Sequence, residues 1–163
     1  MITIRTIRPH EIPAAKHLIL EVAYVIFGWD GTLQDSIRHF ESSGEFEDMD
    51  HVQSHYFDKG GLFLAVLDAD QLIGCGAVRL LDKATAELKR IWLREAYHGR
   101  GLGYQVTTRL MKHARARGCG RVRLQANTLQ TRAIAFYRKL GFYDIPCYND
   151  KLGEISMELL LDA

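Results

Sequence analysis

The sequence predicts a layered α+β fold: a mixed, mostly antiparallel sheet of six to seven strands flanked by about four helices. Three observations predict it. Between Leu62 and Leu93 the apolar runs "LFLAVLD", "LIGCGAVRLL" and "AELKRIWL" are separated by the turn-prone "DADQ" and "DKAT", the pattern of an antiparallel meander. Residues 86 to 127 then read strand, helix, strand, a unit that closes through a right-handed parallel crossover. Finally, 163 residues suffice for one domain with a sizeable core and fall short of two, and no internal repeat, low-complexity tract or linker interrupts them, so residues 1–163 are expected to form a single domain.

Taken in order, "ITIRTIR" (Ile2 to Arg8) is short and β-branched, and Pro9 with Glu11 suits the first turn of a following helix. In that helix Ile12, Ala15, Ile19, Val22, Ala23 and Ile26 recur at helical spacing, which predicts one inward face, and Gly28 offers the stop. A weaker stripe, Leu33, Ile37 and Phe40, precedes the acidic "ESSGEFEDMD", and "HVQSHYF" predicts another short helical turn. Inside the meander, Gly74 and Gly76 mark a bulge or a close backbone approach. The segment Gly101 to Gly118 carries Val106, Leu110 and Ala114 on one face, with Lys112, Arg115 and Arg117 near its end, where cations favour the helix dipole. "RVRLQAN" reads as a strand, "TRAIAFYRKLG" as a helix closed by Gly141, and "FYDIPCY" and "EISMELLL" as two last strands.

Composition narrows the function. With 21 Lys+Arg against 20 Asp+Glu, a formal net charge of +1, nothing global attracts nucleic acid or an anionic membrane. A small-molecule or peptide partner is expected instead, and a homodimer stays open. The apolar stretch Ile12 to Trp29 is broken by Lys16, His17 and Glu21, so it neither spans a bilayer nor resembles a signal segment. The three cysteines, Cys75, Cys119 and Cys147, are widely spaced, odd in number and without a C-x-x-C pair, which predicts a reducing, cytoplasmic setting and no thiolate zinc site. His51 and His55 have metal-ligand spacing but no accompanying motif or evident third ligand, so they read as a surface pair and no metal is expected.

The richest stretch is "LKRIWLREAYHGRGLGYQV", Leu88 to Val106, where an apolar strand meets a helix through Gly99, Gly101 and Gly103. A helix start preceded by residues without side chains leaves converging N–H groups unpaired, with the positive end of the helix dipole behind them, and such a turn suits phosphate. It is neither a P-loop, since no Gly-Lys-Ser/Thr follows, nor a dinucleotide turn, since Tyr104 or Val106 occupies the last glycine position of that fingerprint. The bland alternative is a tight connection that glycine merely permits.

From Glu87 onward the chain resembles the GNAT superfamily of acyl-CoA-dependent N-acetyltransferases. In that family an apolar strand leads into Gln or Arg, two residues, Gly, one residue, and Gly or Ala, then a helix. Here "HGRGLG" fits from its second position, with Gly101 and Gly103 on the required glycines and His98 where Gln or Arg is usual. Downstream, "TRAIAFYRKLGF" is similar to the family's helix with its Tyr and following Gly-Phe, at the expected separation. The order of elements matches along nearly the whole chain, most strongly from Ala86 to Phe142.

The resemblance implies that acetyl-CoA is the acyl donor, that backbone amides of His98, Gly99, Arg100, Gly101, Leu102, Gly103 and Tyr104 surround its pyrophosphate, with Arg100 as a compensating cation, and that its pantetheine arm lies like an extra strand along Ile91, Trp92 and Leu93. It places Tyr137 as general acid toward the departing thiolate, a phenol near its usual pKa of ~10 being still protonated at neutral pH. It places Glu87 as candidate general base; a salt bridge from Glu87 to Lys89 or Arg90 is the competing reading. Asn127 and Gln130 are candidates to bind the pantetheine amides, or else are loop and capping groups. The acidic residues Glu45, Glu47, Asp48 and Asp50 fall where the family builds its acceptor surface, and acceptor specificity is expected from residues 24 to 58 and 143 to 154. The activity implied is acetyl transfer to a primary amine by direct attack. Its rivals are a non-catalytic acyl-CoA-binding module and a transferase for a larger acyl group or a protein amine.

Overall fold

Strand β2 (Leu62–Asp68) is apolar at every position from Leu62 to Leu67, and such a strand must be covered on both faces. In the computed structural model, which describes residues 1–149 and 153–161, it is. Leu64 and Val66 join Val78, Leu110 and Val122 in one core, while Phe63, Ala65 and Leu67 join Leu18, Ile19 and Tyr56 in a second core on the other face, as a period of two requires.

The sheet has seven strands in the order β1-β2-β3-β4-β5-β7-β6. β1 (Ile2–Thr6), β2, β3 (Gln71–Leu80) and β4 (Thr85–Leu93) form the predicted antiparallel meander. The β2–β3 turn is Ala69 and Asp70, with Ala69 at φ 53°. Between β3 and β4 the Asp82 carboxylate accepts from the backbone N–H groups of Ala84 and Thr85, both at 2.8 Å. β5 (Arg121–Asn127) is parallel to β4, and β7 (Glu154–Leu160) inserts between β5 and β6 (Tyr143–Ile145). The β6 run ends at Pro146, which has no N–H to offer the ladder.

Helix α1 (Ile12–Phe27), α2 (Leu33–Ser43) and the single turns α3 (Glu47–Asp50) and α4 (Val52–His55) cover the second core; α5 (Leu102–Ala116) and α6 (Thr131–Leu140) cover the first. Pro9–Glu11 forms a separate 3-10 turn ahead of α1, and Gly28 closes α1 at φ 61°. The α1 stripe departs from its prediction at the end. Ala23 is buried, but Val25 is 73% and Ile26 39% exposed, because the last turn overhangs a channel beside β4 instead of lying on the sheet. Thr32 and Asp35 cap α2 reciprocally, each side chain accepting the other's N–H.

The irregularity that matters lies between β3 and β4. Cys75 pairs with Trp92 and Ala77 with Lys89, so Gly76 alone faces two residues, Arg90 and Ile91, and β4 carries a bulge there with Arg90 at φ 57°. Gly76 supplies the close approach on the other strand: a Cβ there would stand 2.6 Å from Cγ1 of Val106 on α5. Val106 is β-branched and buried and has little room to yield. Gly76→Ala is therefore expected to lower unfolding stability by about 1–3 kcal/mol, read as a shift in the denaturant midpoint at unchanged slope.

Candidate active site

β4 and β5 are paired only at Thr85–Arg121, Ala86–Val122 and Glu87–Arg123. Beyond Glu87 they part: β4 stays with β3 as far as Leu93, and β5 stays with β7 as far as Asn127. The edge of β4 facing the gap thus has no strand partner from Leu88 to Leu93. Two cavities, of about 860 and 840 Å³, open on either side of this gap and share Ile91, Trp92, Leu129, Gln130, Ala133 and Tyr137 as walls.

The smaller cavity is an apolar channel that runs from the gap to the glycine turn. Gly101 takes φ 78° as the N-cap of α5 and Gly99 φ 79°, a backbone open to glycine and costly for other residues. The first bond of the helix is Gln105 N–H to Gly101 C=O, and no side chain caps its start, so among the described residues the amides of Leu102, Gly103 and Tyr104 have no acceptor. The Leu102 side chain itself is core. His98, Gly99, Gly101, Leu102, Gly103 and Tyr104 all border the channel, as do Ile91, Trp92 and Leu93. Arg100 does not; its guanidinium lies 5.0 Å over the Tyr97 ring, and Arg132, on the first turn of α6, is a cation that does border the channel. His98 Nε2 lies 3.0 Å from the Leu93 carbonyl, which ties the turn to the end of β4. Arg94 and Glu21, also bordering the channel, are ion-paired and join β4's end to α1.

The larger cavity is polar at the sheet and aromatic at α1 and α2. Glu87 is 4% exposed and accepts from Arg79 Nε at 2.7 Å and from the Tyr148 hydroxyl at 2.6 Å. Its ion-pair partner is therefore its cross-strand neighbour Arg79, not Lys89 or Arg90, because directly opposed residues on paired strands stand closer than residues two apart along one strand. Burial and the Glu87 bond both push the Tyr148 hydroxyl well above the usual phenol range. Gln125 accepts from the Asn149 amide.

Tyr137, on α6, borders both cavities. Phe136 and Phe142 pack edge-on against its ring, and burial raises its pKa well above the usual value, so the phenol keeps its proton at neutral pH. Asn127 and Gln130 shape the turn before α6: side-chain Oδ1 of Asn127 accepts from Leu129 N–H and side-chain Oε1 of Gln130 from Asn127 N–H, both at 2.9 Å. Gln130 borders both cavities, Asn127 only the larger.

Sequence reasoning did not single out Arg79, Tyr148 or Arg132. The alternation of "RVRLQAN" against "AELKRIWL" signals a polar face at the parting, but only the register shows Arg79 opposite Glu87. The acidic segment is tied into the fold by ion pairs. Arg90 donates to both Asp48 oxygens, at 2.7 and 3.2 Å, and to the Glu45 carbonyl at 2.7 Å; the Tyr56 hydroxyl donates to Asp48 at 2.5 Å; and Lys16 pairs with Asp50. His51 and His55 stack at 6.3 Å, and among the described residues no group of three His, Cys, Asp or Glu is placed to hold a metal ion. The three cysteines are free, and no described helix is long and apolar enough to cross a membrane.

A mixed sheet parted at its one parallel pair, with a glycine turn opening a helix beside the gap, is the architecture of acetyltransferases. An acetyltransferase from Streptococcus agalactiae superposes with a TM-score of 0.82 at 21% identity over 98% of both chains, and the PaiA N-acetyltransferase from Thermoplasma acidophilum, solved with coenzyme A, with 0.80 at 20% identity over 99% of both. The chain belongs to the Acetyltransferase (GNAT) family, whose model matches residues 29–142. A mycothiol acetyltransferase from Saccharopolyspora erythraea is 28% identical over 84% of this chain and 43% of its own length, and an IAA acetyltransferase from Azospirillum brasilense 31% identical over 50% of this chain and 54% of its own. The chain thus spans about half the length of these curated relatives.

The hold on Arg90 is testable apart from any activity. Burial raises the Asp48 pKa, but the bonds and charge of Arg90 and the Tyr56 hydroxyl outweigh it, and the carboxyl sits below the usual range. Its contribution to stability is complete above the unfolded value of ~3.9 and is lost as pH falls through the lower folded value. Arg90→Met should therefore cost about 3 kcal/mol at pH 7, the lower end for a pair broken on one side in a protein interior. The difference from wild type should shrink as pH drops below ~4, measured by urea denaturation across pH 2.5–7.

Proposed function

We propose that the protein is an N-acetyltransferase that moves an acetyl group from acetyl-CoA to a primary amine by direct attack. One observation carries this reading: Tyr137, a buried phenol that keeps its proton, forms part of the wall shared by an apolar channel and a polar cavity where β4 and β5 part. The curated relatives named above are acetyltransferases, and the Thermoplasma structure was solved with coenzyme A, which supports the choice of donor.

The residues of the channel fit that donor. The unaccepted amides of Leu102, Gly103 and Tyr104, at the positive end of α5, suit the pyrophosphate, and Gly103 carries no side chain to fill the space. Arg132 supplies a cation to the same channel. The unpartnered edge of β4 from Leu88 to Leu93 offers backbone groups to the pantetheine amides, as an added strand would use them. Gln130 lines the same junction.

In the reaction, the amine must shed a proton and the departing thiolate must gain one. Tyr137 donates its phenolic proton to the thiolate. Glu87, held by Arg79 and Tyr148 on the wall of the polar cavity, receives the amine's proton through water.

Tyr137→Phe keeps the ring packing and removes the proton, so kcat should fall about 100-fold while the Kd for acetyl-CoA, by calorimetry, stays within a factor of three; undiminished turnover would remove Tyr137 as the acid. Gly103→Glu places a carboxylate at the helix start without backbone strain, since Gly103 has an ordinary φ and its nearest non-local atom is Phe136 Cζ at 3.9 Å. Acetyl-CoA binding should be lost in a variant that still folds by circular dichroism.

A further inference from the structure

The charges around the polar cavity either cancel in pairs or stand exposed at its rim, with two exceptions. Arg79 takes Glu87, and Arg90 takes Asp48. Glu45 and Glu47 are exposed at the rim. That leaves Lys89 and Glu154. Lys89 stands on β4 between Glu87 and Arg90, is mostly buried, and has no carboxylate within ion-pair distance among the described residues; burial first, and then the neighbouring Arg79, depress its pKa. Glu154 opens β7 opposite Asn127, and its Oε2 is buried with no hydrogen-bond partner among the described residues.

Unpaired charges taken out of water are costly, and a cavity presenting one of each sign at the same wall is complete only when a ligand supplies both complements. At the other end of the cavity, Phe27, Trp29 and Phe40 form a continuous aromatic wall, with ring centroids 5.6 Å apart for Phe27–Trp29 and 4.9 Å for Trp29–Phe40. A single free ammonium suits a monoanion. Phosphate would call for further cations, and Arg79 and Arg90 are already engaged.

We propose that the acceptor is an amine bearing a carboxylate and an apolar side chain, of the amino-acid class: Lys89 seats the carboxylate, Glu154 attracts the ammonium toward Glu87 and Tyr137 before it is deprotonated, and Trp29 with Phe40 covers the apolar part. Alternation of β4 puts Glu87 and Lys89 on one face about 6.6 Å apart along the strand, so an amine at the first and a carboxylate at the second are a short span apart. This assignment rests on the acetyl-transfer reading for its chemistry, though not for its charge complement.

The test pairs phenylalanine, tryptophan and leucine with their decarboxylated amines, phenethylamine, tryptamine and isoamylamine. Calorimetric binding to the CoA-loaded full chain and release of CoA from acetyl-CoA are measured for each. In at least one pair the amino acid should bind, and turn over by kcat/KM, about 10- to 100-fold better than its decarboxylated partner, the range for a hydrogen bond to a charged group. Lys89→Met should bring that ratio to within about threefold, chiefly through KM, whereas Lys89→Arg should retain a preference. Equal binding within every pair, or a ratio that survives Lys89→Met, overturns the assignment. Selective binding that depends on Lys89, with no CoA released from any amine, would sustain the acceptor class and overturn acetyl transfer.

Discussion

The site depends on one extra residue in β4. Arg90 sits at φ 57°, a conformation that costs a non-glycine residue about 1–2 kcal/mol, and the structure holds it there. Its guanidinium is fixed by Asp48 and the Glu45 carbonyl and lies 5.0 Å over the Phe46 ring. The consequence is a change of parity. Leu88 faces the first core before the bulge, whereas Ile91 and Leu93 face it afterwards and Trp92 turns to the second core. Without the insertion, Trp92 would point with Leu88, and Glu87, Lys89 and Trp92 would not share a face. The same bulge bends β4 away from β5 after three paired residues, and that bend opens the gap both cavities border.

A sheet that parts exposes polar edges, and the protein stabilises the exposed face by cross-strand pairing. Arg79 lies directly opposite Glu87, and Arg123 directly opposite Glu158, each pair joined by a hydrogen-bonded ion pair. β5 alternates accordingly, with Val122, Leu124 and Ala126 in the first core and Arg121, Arg123, Gln125 and Asn127 on the other face. The pairs neutralise charge that would otherwise be desolvated alone, and they leave the polar cavity with a small set of groups free to meet a ligand. Residues 45 to 50, for all their acidic composition, contribute a carboxylate already taken by Arg90 and another taken by Lys16.

Local periodicity and turn chemistry made most of the fold legible in the sequence. "LFLAVLD" read as a strand of an antiparallel meander and is one, Gly28 and Gly141 closed the helices they followed, and the strand–helix–strand run from Ala86 to Asn127 pointed to the parallel pair of β4 and β5. The insertion of β7 between β5 and β6 was not legible, because β6 and β7 are adjacent in sequence and pair whichever of them lies inside. The site divides the same way. The glycine turn, the Ile91–Leu93 edge and Tyr137 came from contiguous motifs. Arg79 and Tyr148 meet Glu87 across separations of 8 and 61 residues, and no spacing rule connects them. Ile26 misled for a related reason: its helical spacing was right, but the stripe it continued had stopped facing the sheet and had begun to line the channel.

His98 shows how a departure from a motif can be absorbed. In an anion site made of backbone amides at a helix start, the first side chain of the motif is not a donor the anion requires, and its position is free for another use. Here that use is mechanical. Nε2–H donates to the carbonyl of Leu93, the last residue of β4, across the 3-10 turn Glu95–Tyr97, while Arg94 N–H donates to Ile73 on β3. The strand whose edge lacks a partner and the helix start whose amides lack an acceptor are thereby held at a fixed separation. A long extended ligand gripped at both places is bound well only if that separation does not drift. In this chain a ring nitrogen maintains it from inside the turn, and the side-chain-free backbone at Gly101 and Gly103 remains open above.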